Sequence, residues 1–200
     1  MAAQVCGRPV TVEDVDAREA QFRATVPSAS LPLAGTSEGR QLRRWLTQLI
    51  VTELVIAAEA RRLGITADDA PALCAVLPDA TARVEIGSVT AAVLSDPLAR
   101  ALYAYVVADV TVPDDEIAGY HTRNPMRFAV GTRGDVGWRN PETQPSLQQV
   151  RPAITAHLLA AARRRNFRNW LDMRSAALVV LASDYEHPGD PRQPDNVHRH

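Results

Sequence analysis

Chemistry-bearing side chains gather most densely at the C-terminal end. Residues 183–200 carry His187, His198 and His200, three of the five histidines in the chain, with Asp184, Glu186, Asp190 and Asp195 between them. In an extended strand His198 and His200 project to the same side, because side chains alternate with a period of two. Such a pair can hold a divalent metal, with His187 or a carboxylate completing the shell. Without a metal, Asp184, Glu186 and His187 are the types that move protons in general acid–base catalysis. No H-E-x-x-H run and no cysteine pair anchors the pattern. The segment also has the polarity and proline content of a solvated tail, or of one that folds back to plug a groove. All of these readings stay open on sequence alone.

Elsewhere the candidates are single residues. Glu53 falls on an apolar helical stripe, where a carboxylate either pairs with an arginine at the stripe's edge or sits buried with a raised pKa. His157 lies on the stripe of a second long helix, and His121 follows Tyr120 at a helix end. Either histidine serves as an acid or base in a pocket, or as a hydrogen-bonded core residue. Arg163, Arg164, Arg165 and Arg168 form a basic cluster beside Phe167 and Trp170, fit for a phosphate, a carrier protein or an acidic partner, or simply a solvated face. Trp45, Leu49, Tyr105, Tyr120, Phe128, Trp138 and Trp170 are the large apolar residues from which a binding groove could be built.

These residues need a scaffold, and the longest uninterrupted helical pattern, residues 41–64, supplies its centre. Leu42, Trp45, Leu46, Leu49, Ile50, Leu54, Ala57, Ala60 and Leu63 keep the i, i+3, i+4, i+7 spacing of one face. Val51, Val55 and Ile56 make the middle apolar nearly all round, so other segments must cover it on more than one side. Ser37 is placed to cap it and Gly64 to end it as a C′ glycine. Before it, residues 5–11 read as a hairpin-like entry with a turn at Gly7. Thr11 caps a helix over residues 12–25, with Glu13 and Asp14 in its first turn. Residues 26–39 read as a loop.

After Gly64, a short helix is expected from Thr66, one over residues 80–94, and one over 97–109 with Leu98, Leu102, Tyr105 and Val106 on one face. Pro113 with three acids after it starts another, to about Asn124. Residues 129–149 are Gly- and Pro-rich and read as a linker. A second long helix is expected over residues 150–174, and the apolar run 176–182 as a short buried strand able to pair with the hairpin at 5–11.

Composition excludes several classes. The apolar share is 46% and the charged share 22%, as in an ordinary soluble globular chain. A net charge of −1 lacks the basic footprint of a nucleic-acid binder. No apolar run nears the ~18 residues of a membrane span, and residues 1–10 lack the pattern of a secretory signal, so the expected location is the cytoplasm. Cys6 and Cys74 are too far apart in sequence for a metal motif, and free cysteines of this kind are expected to be small buried hydrophobes.

Four segments, in order, carry a family resemblance. Residues 5–22, from Val5 to Thr11 and on through VEDVDAREAQF, are similar to the V-N-G-x-P-I-T opening of the SurA/PrsA chaperone module, itself similar to the peptide-binding part of trigger factor; Cys6 stands where Asn is usual. LIVTELVIAAEARRLGIT, residues 49–66, resembles the family's L-I-x-x-x-L-L-x-x-E-A-x-x-x-G-I-T helix. VPDDEIAGYHTRNPMRF, residues 112–128, resembles V-S-D-E-E-I-x-x-Y-Y-x-x-N-P-x-x-F. Residues 150–181 resemble, more loosely, the long C-terminal helix and final strand.

The resemblance implies a mainly α-helical module, residues 1–182, with a minimal β pairing of the N- and C-terminal segments, followed by the polar tail 183–200. In the family a parvulin prolyl isomerase domain of about 100 residues usually sits between the third and fourth segments, and residues 129–149 are too few to build one. Gly134-Asp135-Val136-Gly137-Trp138 resembles a remnant of the parvulin G-D-L-G-W motif. The tail's H-P-x-D-P-x-Q-P-D-N-x-H-x-H run is similar to that of small actinobacterial proteins of unknown role. There is no G-x-S-x-G elbow to support acyl-transfer chemistry.

The expected function is therefore a chaperone-like module that binds an extended peptide or a partner protein, a carrier protein included, without isomerase activity and without a firmly implied cofactor. The alternative is a small-molecule enzyme of specialised, polyketide-type metabolism that uses the His/Asp-rich tail, with a divalent metal as an option. A homodimer with intertwined termini is a third arrangement that the sequence allows.

Overall fold

The two chain ends meet. In the computed structural model, which describes residues 1–27, 30–128, 144–182 and 185, and the backbone of 133–134 and 137–138, strand β1 (Ala3–Val5) pairs antiparallel with β2 (Arg8–Val10) on one side and with the C-terminal β3 (Val179–Leu181) on the other. Ala3 sits opposite Val10 and Leu181, Val5 opposite Arg8 and Val179. A two-residue turn at Cys6 (φ 50) and Gly7 (φ 80) joins β1 to β2. Both residues are left-handed, as a type I′ hairpin requires.

Eight helices are described, so the chain is mainly α with a minimal sheet built from its two ends. They are α1 (Val12–Thr25), α2 (Ser37–Leu63), α3 (Leu73–Val76), α4 (Ala80–Ile86), α5 (Ser88–Val93), α6 (Pro97–Val106), α7 (Asp114–Arg123) and α8 (Leu147–Leu178). Helix α1 has the expected bounds, and Thr11 and Asp14 exchange hydrogen bonds as a capping box.

Helix α2 is the expected centre. Leu46, Val51, Val55, Ile56 and Ala60 are almost fully buried, covering more than one of its sides. Helices α1, α5, α6 and α8 and strand β1 all pack on it. Gly64 closes it at φ 69, its N–H shared between the Ala60 and Arg61 carbonyls. At the other end Thr36, not Ser37, is the cap, its hydroxyl accepting from the Gly39 N–H at 3.0 Å.

Several expectations are corrected. Thr66 starts no helix: its hydroxyl donates to the Asp68 carboxylate at 2.8 Å, a local turn, and the next helix begins at Leu73. The helix expected over 80–94 breaks at Gly87, whose φ of 90° and ψ of 149° suit glycine alone, giving α4 and α5. On α6, Tyr105 faces out, 57% exposed, and Tyr103 takes the buried position beside Ala99 and Leu102. Pro113 is the N-cap of α7 and not its first residue. Ser146 and Gln149 form a capping box, so α8 starts at Leu147, and it runs on to Leu178. Only three residues of the apolar run are left as a strand, and its Val180 is 64% exposed: the strand lies at the edge of the sheet with one face open. Both cysteines are exposed, Cys6 because it occupies the hairpin turn.

Helix α8, with 32 residues, is about 48 Å long. Its two halves serve different clusters. Val150, Ile154 and Leu158 pack with Ile117, Tyr120 and Phe128 around α7, while Phe167 and Leu171 enter the main core with α2, α4 and α6. No described helix is long and apolar enough to cross a membrane.

Candidate functional site

Between those two clusters α8 leaves a cleft. Its middle turns, carrying Ala156, Leu159, Ala160 and Arg163, face the end of α6 and the segment before and within α3 across a cavity of about 470 Å³, within the usual range for ligand pockets. Val76, Tyr103 and Val107 form the opposite wall, with Ala104 and Ala108. Alanine on both helices opens the space, since no long side chain fills the gap.

Charged groups line it from the α8 side, as Arg163 and Arg164. Arg164 is buried and bound to Glu85, its Nε and Nη2 donating to the same carboxylate oxygen at 2.9 and 2.6 Å. Arg163 has no such partner: among the described residues it forms no hydrogen bond or ion pair, and its Nε is buried without an acceptor. Burial pushes the Tyr103 phenol above its ordinary pKa, and the charges of Arg164 and Arg163 offset part of that rise. Tyr103 is held edge-on to Phe167 at 5.1 Å, and Phe167 stacks on Trp170. The cleft therefore joins an apolar wall to one uncommitted cation.

The candidates singled out from sequence are dispersed. Glu53 lies at the edge of α2 in a two-pronged pair with Arg18, Nη1 to Oε1 at 2.9 Å and Nη2 to Oε2 at 2.6 Å. It is half-exposed. His121 Nε2 lies 3.0 Å from the Pro145 carbonyl, tying α7 to the segment that enters α8. His157 is half-buried against two rings, 5.5 Å from Tyr120 and 5.8 Å from Phe128, so it belongs to the α7–α8 packing. Among the described residues no hydrogen bond joins any two of Glu53, His121 and His157, and no three His, Cys, Asp or Glu side chains gather as a metal site. Asp184, Glu186, His187, His198 and His200 lie outside the described residues, and of Trp138 only the backbone, paired with Arg133, is described.

The candidate binding residues also separate. Leu49 is buried in the main core. Trp45 rests against Phe22 and donates from Nε1 to the Ser88 hydroxyl at 3.2 Å, beside a shallower hollow of about 390 Å³. Tyr120 and Phe128 form the ring group with His157. Tyr105 stands exposed and apart from these rings.

Two features escaped the sequence reading. Glu59, on α2, is 2% exposed, yet it is a carboxylate. Arg62 reaches it from one turn along the helix, and Arg174 reaches it from α8. Burial alone would raise its pKa, but the hydrogen bonds and charges of Arg62 and Arg174 outweigh that, and the carboxyl titrates below its ordinary range. The i, i+3 spacing of Glu59 and Arg62 was visible in the sequence; the partner 115 positions away was not. The other feature is the division of the basic cluster, in which Arg164 is neutralised by Glu85 and Arg163 is not.

Against known proteins, residues 1–38 match the model of a family of unknown function, DUF7158. No curated protein and no solved structure matches the chain.

Proposed function

We propose that this chain is a peptide-binding module of the SurA/PrsA chaperone type, acting without prolyl isomerase activity. The observation that carries the proposal is the α6–α8 cleft: an apolar-walled cavity between two packed clusters, with no hydrogen-bonded acid, base or nucleophile pair lining it among the described residues. An extended peptide can lay alternate side chains against such walls. Three further features are consistent with the resemblance: the hairpin with its left-handed turn, the sheet shared by the two chain ends, and the helix pair α7–α8 standing on its own small cluster. Of residues 129–149, in the isomerase domain's place, the described parts are the backbone pairing of 133–134 with 137–138 and the segment that enters α8.

The test is direct. The full chain should slow aggregation of a chemically denatured client at near-stoichiometric ratio and bind apolar peptides in fluorescence anisotropy, while leaving the cis/trans exchange of a proline tetrapeptide at its uncatalysed rate. Ala160→Trp, which fills the cleft from α8, should abolish peptide binding with the helical circular dichroism retained. Absence of peptide binding and of aggregation suppression in the folded wild-type protein refutes the proposal.

A further inference from the structure

We infer that the α6–α8 cleft captures a peptide by its free C-terminal carboxylate, with Arg163 as the counter-ion and the apolar walls taking the last side chains. The inference rests on the peptide-binding proposal above and names the partner's chemistry.

The first ground is charge. Several arginines that pack the helices together are committed to carboxylates: Arg18 to Glu53, Arg43 to Asp16 and Glu19, Arg62 and Arg174 to Glu59, Arg164 to Glu85. Arg163 lines the cleft without a carboxylate partner among the described residues, and its Nε is buried with no acceptor. A buried N–H left unmade is costly, and the half-buried Arg163 guanidinium favours an anion able to accept from it in a planar fork. The second ground is spacing. Arg163 and Leu159 are one turn apart on α8, with Val76 and Val107 lining the same cavity. An occupant must therefore present an anion and an apolar group within a few ångströms of each other. The terminal residue of a peptide ending in Leu or Val carries both on one Cα; an internal Asp or Glu carries its charge on a side chain that would compete for the apolar wall. Tyr103, whose hydroxyl stays protonated well above neutral pH, adds a neutral polar group and no opposing charge.

The experiment uses the full chain and a fluorescein-labelled apolar pentapeptide of Ala, Val and Leu, once with a free C-terminal carboxylate and once as the amide. The acid should bind about tenfold tighter than the amide, the effect of one charge-assisted contact. Arg163→Gln should reduce the acid to the affinity of the amide and leave the amide unchanged, and Arg163→Lys should restore part of the difference. Equal binding of acid and amide to the wild type overturns carboxylate capture while the peptide-binding proposal stands. Failure of both peptides overturns carboxylate capture, and together with no aggregation suppression it overturns the peptide-binding proposal as well. If decanoate binds in an Arg163-dependent way while neither peptide binds, the cleft takes a small aliphatic acid, and the peptide occupant is overturned. Thermal melts of each variant show that the fold is intact.

Discussion

Glu59 offers the sharpest test of how the long helices are held together. Its carboxylate is 2% exposed and bridges α2 to α8 through Arg174 while Arg62 grips it from the same helix. Glu59→Gln keeps the shape and removes the charge. Removing one partner of a buried ion pair costs about 3–5 kcal/mol. Arg62 is more than half exposed and Arg174 is one-third exposed, so both can be partly hydrated, and the loss falls to or below the bottom of that range, about 2–3 kcal/mol. In a domain of this size that lowers Tm by about 4–12 °C.

The pH dependence has a defined sign. Because the folded-state pKa lies below the ordinary value of 4.5, Glu59 contributes stability that is fully present above about pH 4.5 and is lost as pH falls through the folded value. Urea unfolding followed by circular dichroism should therefore show the full gap between wild type and Glu59→Gln at pH 7. The gap should close under acid conditions, where the wild-type carboxyl takes up its proton. Arg174→Gln should cost clearly more than Arg62→Gln, since Arg174 alone ties the two helices. A gap as wide at pH 3 as at pH 7, or equal losses for the two arginines, would refute the reasoning.

The Arg164–Glu85 pair should be asymmetric. Glu85→Gln leaves a buried guanidinium without its counter-charge and should cost about 3 kcal/mol, whereas Arg164→Met leaves a carboxylate that is 39% exposed and can hydrate, so its loss of denaturation midpoint should be smaller. Gly87→Ala should destabilise by about 1–3 kcal/mol, read as a lower thermal midpoint, because the junction of α4 and α5 holds a conformation open to glycine. Cys6→Asn should stabilise the fold by up to about 1 kcal/mol, read as a higher thermal midpoint, since Asn tolerates the left-handed turn position better than Cys. In the native wild type both thiols should react with Ellman's reagent without denaturant.

Local signals carried much of the fold. The spacing of apolar residues through α2, the Thr11–Asp14 cap and the C′ glycine at Gly64 depend on neighbours within a few residues, and each lies where the sequence placed it. The errors also have local causes. The pattern over 80–94 is helical on both sides of Gly87, and nothing but the backbone angle tells that the helix breaks there. The cap at Ser146 and Gln149 was present as an S-x-x-Q run and lies just beyond the Gly/Pro-rich stretch that masked it. Tyr103 and Tyr105 sit two positions apart on α6, and only the packing of Phe167 decides which one is buried.

By itself, the sequence determined that the chain is mainly helical, that an unusually apolar helix lies at its centre, and that its two ends can join in a small sheet. Those properties follow from periodicity and capping, which act over one or two turns. Only the tertiary structure decided which charges are spent and which remain. Glu53 and Glu59 look alike on the same helix, but one is met at the edge by Arg18 and the other is buried under Arg174. Arg163 and Arg164 are adjacent in sequence and both line the cleft, yet the rotation of about 100° between them brings only Arg164 to Glu85. Pairing of charges is settled by partners dozens of residues away, and no periodic pattern in the chain encodes it.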